Sequence, residues 1–231
     1  MDLSQPHGYF YHHILSNDLL EDIKANPDYS VIDVCCLLPQ YLFHIYSKIG
    51  KKRYVGLEGW REDRIAQFRI KDLLRLEQNQ VVDKVYDFYS AFPSLVKPRY
   101  FEDYPLLSKK EFFETFDLRF GVDVEKEVKK FDSEFDYLIL NNVIHLPHDS
   151  ERFKLDIDFI TDCFKIVKKG GFIWVKVNHE NNPAIKDVNQ VHFNDENLKE
   201  LLSKDFKEIF FHTEKDVKKV KLQMFYFGRK L

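Results

Sequence analysis

The sequence has 231 residues, 44% of them apolar and 32% charged, with a formal net charge of −3. That size and balance fit one globular domain with a full hydrophobic core, so residues 1–231 are read as a single domain. The charge excludes a general attraction to nucleic acid or acidic membrane, and no apolar run reaches the ~20 residues of a membrane span; neither kind of partner is expected.

The three cysteines, Cys35, Cys36 and Cys163, are odd in number and form no C-x-x-C pair. They argue against a disulfide framework or zinc ribbon and for a reducing, cytoplasmic setting. The N-terminal MDLSQPHGYFYHH lacks a basic segment followed by an apolar one, so it does not read as a secretory signal. The 22 phenylalanines predict aromatic packing in the core. Lys168, Lys169 and the lysines of 215–221 read as solvated surface.

In chain order, the first helix is expected over about 17–25, stopped by Asn26-Pro27-Asp28. Tyr29 to Val34 reads as a strand apolar on both faces, which suits the middle of a parallel sheet. A loop, Cys35 to Pro39, leads into a helix over about 40–49 that Gly50 closes. The unit repeats with a strand over 54–58 and a helix over about 61–77, and this alternation predicts a parallel sheet with right-handed crossovers. The stretch 78–113, with three prolines and many aromatics (Tyr86, Phe88, Tyr89, Phe92, Tyr100, Phe101, Tyr104), is either an insertion lining a substrate pocket or irregular structure packed on the sheet edge. Strands follow over 116–123 and 135–141, then a helix over about 153–167 ending in Lys168-Lys169-Gly170-Gly171, which fits helix-stop chemistry. A fifth strand covers 172–177. Asn194 is a good N-cap for a short helix from Asp195, and two β segments, 208–212 and 222–227, are close enough to pair antiparallel.

Four segments in this order carry a resemblance. Val31-Ile32-Asp33-Val34 with its loop is similar to hhDhGxGxG, and YVGLEG closes strand two on Glu58. FGVDVEKEVKKFDSEFDYLILNNVIHL is similar to gDaxxLPFxxxSFDxIxxxxxLHH, and FKIVKKGGFIWVKV to LrxLKPGGxLxI. Together they resemble the class I S-adenosylmethionine-dependent methyltransferases over about 29–229. The resemblance implies an α/β, Rossmann-like, doubly wound seven-stranded sheet, mostly parallel, with a C-terminal antiparallel β-hairpin. It implies S-adenosyl-L-methionine as cofactor, met by Asp33, Cys35 and Leu37 of the first motif, by Glu58 and Gly59, by Asp123 and Val124, and by Asn141 at the end of strand four. Glu58 would accept hydrogen bonds from the ribose hydroxyls. Asp123 would face the adenine amine, with Val124 packing on the ring.

The first motif departs from the pattern: Cys35, Leu37 and Pro39 stand where glycines are usual. A Cβ in left-handed geometry costs roughly 1–2 kcal/mol, and Pro39 removes an N–H and fixes its own φ. The loop is therefore expected not to copy the usual conformation. Because Glu58 and Asp123 are both kept, the favoured reading is a rebuilt loop that still binds cofactor. The alternative is a non-catalytic scaffold or binding protein that kept the fold and lost the cofactor.

Methyl transfer asks the protein mainly for alignment and, for a hydroxyl acceptor, for a base. His145 and His148 after strand four and His179 after strand five are the candidates, with His192 also near the expected mouth. The sequence NNVI at the end of strand four lacks both the Asn/Asp-Pro-Pro-Tyr/Phe motif of amino-directed enzymes and the carboxylates of the metal-dependent branch. Those acceptors and a metal are therefore not expected; the aromatic segment Tyr86 to Tyr104 points to a small-molecule or sugar-like acceptor. A nicotinamide oxidoreductase fits worse, since its fingerprint needs the same missing glycines. The absence of GK[ST] excludes a P-loop enzyme.

Overall fold

The computed structural model describes residues 23–36, 39–59, 85–87, 89–90, 106–141, 150–183 and 193–231. Its strands form one seven-stranded sheet in the order β3-β2-β1-β4-β5-β7-β6. The chain divides into two compact units, residues 1–124 and 125–231.

In the first unit, β1 (Ser30–Val34), β2 (Arg53–Glu58) and β3 (Phe116–Phe120) run parallel. All five β1 residues are buried, as an unbroken apolar run requires of an inner strand. Ahead of it, the Asp28 N–H donates to Asn26 Oδ1 at 3.0 Å, a turn at the expected stop. Helix α1 (Gln40–Ile49) buries Leu42, Phe43, Ile45, Tyr46 and Ile49, and Gly50 ends it at φ 74° with its N–H on Tyr46 O. Helix α2 (Lys109–Thr115) starts with a reciprocal cap: Ser108 accepts from the Glu111 N–H while Glu111 accepts from the Ser108 N–H. Of the aromatic stretch 78–113, Tyr86 and Tyr89 are described and Phe88, Phe92, Tyr100, Phe101 and Tyr104 lie outside the described residues. Tyr89 is fully buried, 5.1 Å centroid to centroid from Phe43 and 4.9 Å from Phe112. Its hydroxyl accepts the Leu107 N–H at 3.2 Å. This part of the stretch is aromatic core.

Strand β3 stops at Phe120, sooner than expected, because Gly121 turns the chain at φ 69°. A short helix, α3 (Val124–Val128), follows.

In the second unit, β4 (Phe135–Asn141) pairs parallel with β5 (Val167–Asn178), and β7 (Lys221–Lys230) lies antiparallel between β5 and β6 (Phe206–Lys215). Helix α4 (Ser150–Lys165) ends before the Lys-Lys-Gly-Gly run. Those residues belong to β5, a correction to their reading as a helix stop. Phe135 pairs with Val167 and Tyr137 with Phe172, so β5 carries a bulge there. Gly170 enters it at φ 79°, and Lys168 Nζ reaches Asp136 Oδ2 at 2.9 Å. Two glycines permit a bulge as readily as they end a helix. Helix α5 (Asp195–Ser203) starts as expected: Asn194 Oδ1 accepts the N–H groups of Glu196 and Asn197. The expected helix over 61–77 lies outside the described residues, as does all of the one over 17–25 except 23–25.

Candidate functional site

The parallel register sets the first unit's polar residues on adjacent strand ends. Asp33 pairs with Gly56, and Glu58 with Phe120. Side chains alternate along a strand, so Asp33, Gly56 and Glu58 share one face. A Cβ on Gly56 would lie 2.8 Å from Leu118 Cδ2 and 3.3 Å from Cys36 Sγ. Apolar packing therefore closes the floor around the two carboxyls.

Asp33 has no solvent exposure, and neither of its oxygens has a hydrogen-bond partner among the described residues. Burial, reinforced by the charge of Glu58, pushes its carboxyl well above the usual carboxylate range. A buried polar group without a partner is rare and calls for an explanation.

The loop after β1 begins with Cys35 at φ 57°. Its first residue takes the left-handed conformation that glycine usually supplies, at a cost of roughly 1–2 kcal/mol. The Cys36 N–H then donates to Leu57 O at 3.0 Å, tying the loop to β2. The Cys36 thiol is buried and pushed up by that burial and by Asp33 and Glu58, which makes it an inert packing group. Leu37 lies outside the described residues.

Beyond β2, Gly59 abuts the segment that follows β3. A Cβ there would lie 3.1 Å from both Val122 O and Val124 Cγ2, and the Val122 N–H points to Glu58 O at 3.4 Å. Asp123 is exposed and Val124 is buried at the first position of α3. The structure thus brings Asp33, Cys35, Glu58, Gly59, Asp123 and Val124 to the ends of three adjacent strands in one unit.

Asn141 and His179 belong to the second unit. Asn141 ends β4 and pairs with Lys176 of β5; its Oδ1 is buried without a hydrogen-bond partner among the described residues. His179 is 1% exposed and follows β5. Its Nδ1 accepts the Asn181 N–H at 3.0 Å, and its Nε2 faces Asp195 Oδ1 at 3.7 Å. Burial holds its pKa below the ordinary value despite Asp195. To act as a base it would have to give up the Asn181 bond. Thr213 donates to Asp195 at 2.6 Å and Lys221 pairs with it, fixing the start of α5 against the hairpin. His145, His148 and His192 lie outside the described residues.

Sequence reasoning passed over two residues. Gly56 is the only residue of the first two strands small enough for Cys36 and Leu118 to close in; a lone glycine inside an apolar strand is the signal for such an approach. Lys176, 2% exposed, has its pKa lowered to about 8 by burial, with Glu214 opposing. Its signal was one charged residue in the apolar run of β5.

No protein-family model matches this chain, and no curated protein sequence does either. Solved structures do match. A SAM-dependent methyltransferase from Archaeoglobus fulgidus is 12% identical with a TM-score of 0.50, over 97% of this chain and 100% of that one. One from Methanosarcina mazei is 13% identical with a TM-score of 0.50, over 89% and 94%. The MccD protein is 7% identical with a TM-score of 0.55, over 97% and 95%. The chain has the class I SAM-dependent methyltransferase fold: a seven-stranded, mostly parallel α/β sheet with antiparallel C-terminal strands.

Proposed function

We propose that this chain is a SAM-dependent methyltransferase that holds its donor in the first unit and acts on a small-molecule or sugar-like acceptor. The observation that carries the reading is the Asp33 carboxyl, buried with both oxygens unpartnered one strand from Glu58. Two carboxyls on one face, one starved of donors, suit a ligand that brings hydroxyls and a positive charge. A nucleoside with a sulfonium and an ammonium brings both. Bound there, S-adenosyl-L-methionine would supply an activated methyl group that needs no further chemical activation.

The chain's own residues then bind and orient. Glu58 would accept from the ribose hydroxyls, Asp123 from the adenine amine, and Val124 would pack on the ring beside Gly59. Asp33 and Cys35 would face the amino-acid part. The net charge of −3 and the NNVI sequence after β4 favour a small acceptor over nucleic acid. Asn141, whose amide oxygen is buried and unpartnered among the described residues, would accept a hydrogen bond from the donor, and His145, His148 and His179 are the base candidates.

Calorimetric titration tests this. The wild-type chain should bind both S-adenosylmethionine and S-adenosylhomocysteine. Glu58→Ala should weaken both on the order of 100-fold, since hydrogen bonds to a charged group contribute about 1.5–3 kcal/mol each. Folded protein that binds neither ligand would favour the scaffold instead.

A further inference from the structure

We propose that Asp33 selects its ligand by charge: it carries a proton in the free protein and releases it to solvent when a cationic group of the donor takes the proton's place. The inference rests on the methyltransferase reading and assigns Asp33 a specificity-determining role in it.

The geometry around Asp33 leaves an ionised carboxylate nothing to lean on. It is fully buried, and no N–H or O–H reaches either oxygen among the described residues. In the loop that follows, the Cys36 N–H is committed to Leu57 O. Among the described residues, the titratable groups that interact with Asp33 are all acids. Glu58 approaches from β2, the Cys36 thiol from the loop, and the Tyr41 hydroxyl from α1; the last two are themselves pushed up by burial and by Asp33. Leu118 of β3 and Leu42 of α1 pack beside Gly56, on the face it shares with Asp33. No basic side chain from these elements faces the carboxyl among the described residues. An isolated buried carboxylate of this kind takes a proton instead of staying charged.

The exchange balances simply. A neutral carboxylic acid and a cationic ligand become a carboxylate–cation pair and one proton in solvent; no bond in the ligand changes. The cation has two sources on this ligand, the sulfonium, which only the donor carries, and the α-ammonium, which donor and product share. If the sulfonium is the partner, its charge disappears on methyl transfer. Asp33 then takes a proton back, and the product loses the contact that held the donor.

The test is titration calorimetry of the full chain in buffers of different ionisation enthalpy, from roughly pH 5 to 8, above the ~3.9 of an ordinary Asp. S-adenosylmethionine should release about one proton at the acid end, with affinity rising about tenfold per pH unit until Asp33's own pKa is passed. Adenosine, which has neither cation, should release none. S-adenosylhomocysteine assigns the partner: release by it places the α-ammonium on Asp33, and no release places the sulfonium there. Asp33→Asn should bind S-adenosylmethionine with no proton released. Binding of the donor without release across the range, release by adenosine, or release that persists in Asp33→Asn overturns charge selection and leaves the methyltransferase reading intact. Failure of all three ligands to bind overturns both.

Discussion

At the scale of single residues, the sequence already held the acid near the end of β1 but not its state. Asp33 was legible because Val31-Ile32-Asp33-Val34 reads as a buried strand. Its lack of a hydrogen-bond partner among the described residues and its acidic neighbours Glu58, Cys36 and Tyr41 emerge only from the fold. The consequence for stability has a definite sign. Asp33 is held above the pKa it has in the unfolded chain, so folding and protonation favour each other. Its contribution is fully present below the unfolded value of about 3.9 and is lost as pH rises toward its raised folded value. Asp33→Asn, which cannot ionise, should therefore be little different in stability from wild type near pH 4 and increasingly more stable toward pH 7. Urea midpoints at several pH values measure this. A difference that is flat with pH would mean that Asp33 is ionised in the free protein. Cys35 teaches the complementary lesson. It sits at φ 57°, and a left-handed non-glycine residue costs only roughly 1–2 kcal/mol, which a folded domain can absorb, so the absence of glycine does not bar the loop's first turn; Leu37 and Leu38, on which the rest of the expectation turns, lie outside the described residues.

At the scale of elements, legibility followed how many physical signals agreed. Helix α5 had a clear Asn cap in Asn194 and begins where that cap placed it. Strand β5 had conflicting signals. Val167 to Gly171 offered lysines and glycines, which suit a helix end, and the backbone instead uses them to enter the sheet through a bulge. The two glycines do different jobs there. Gly170 supplies positive φ, and the space a Cβ would take has only the Arg229 side chain near it, at 3.8 Å. Gly171 supplies close approach: a Cβ would lie 2.9 Å from Asp136 O and 3.0 Å from Lys168 O, both backbone atoms that cannot swing aside. Gly171→Ala should then cost about 1–3 kcal/mol as an overpacked site, and Gly170→Ala roughly 1–2 kcal/mol from its conformation alone. Chemical denaturation of the two variants checks this, and a Gly171→Ala protein as stable as wild type would mean that the bulge relaxes freely.

At the scale of the whole molecule, fold and function separate. A parallel sheet was legible from the alternation of strand and helix, the seven strands and the C-terminal antiparallel pair followed from the resemblance, and solved structures at 7–13% identity share that architecture. A fold hosts many activities, so the donor must be argued from the site. Every described residue assigned to the donor except Asn141 lies in residues 1–124, one of the two compact units. A ligand that binds only folded protein stabilises it by about 2.7 kcal/mol at a hundred times its dissociation constant, which for a chain of this size raises the melting midpoint by roughly 5–10 °C. S-adenosylmethionine should produce that rise without any acceptor present, and Glu58→Ala, binding about 100-fold more weakly, should keep only about 0.4 kcal/mol of it at the same concentration, roughly 1–2 °C. The shape of the transition carries further information. One transition that moves as a whole means that both units unfold together. Two transitions with only one moving place the donor on a unit that unfolds by itself. A midpoint indifferent to the ligand, in protein that melts cooperatively, would leave a methyltransferase architecture that no longer holds the donor, and the buried Asp33 would then be a relic of binding that the fold tolerates in its neutral form.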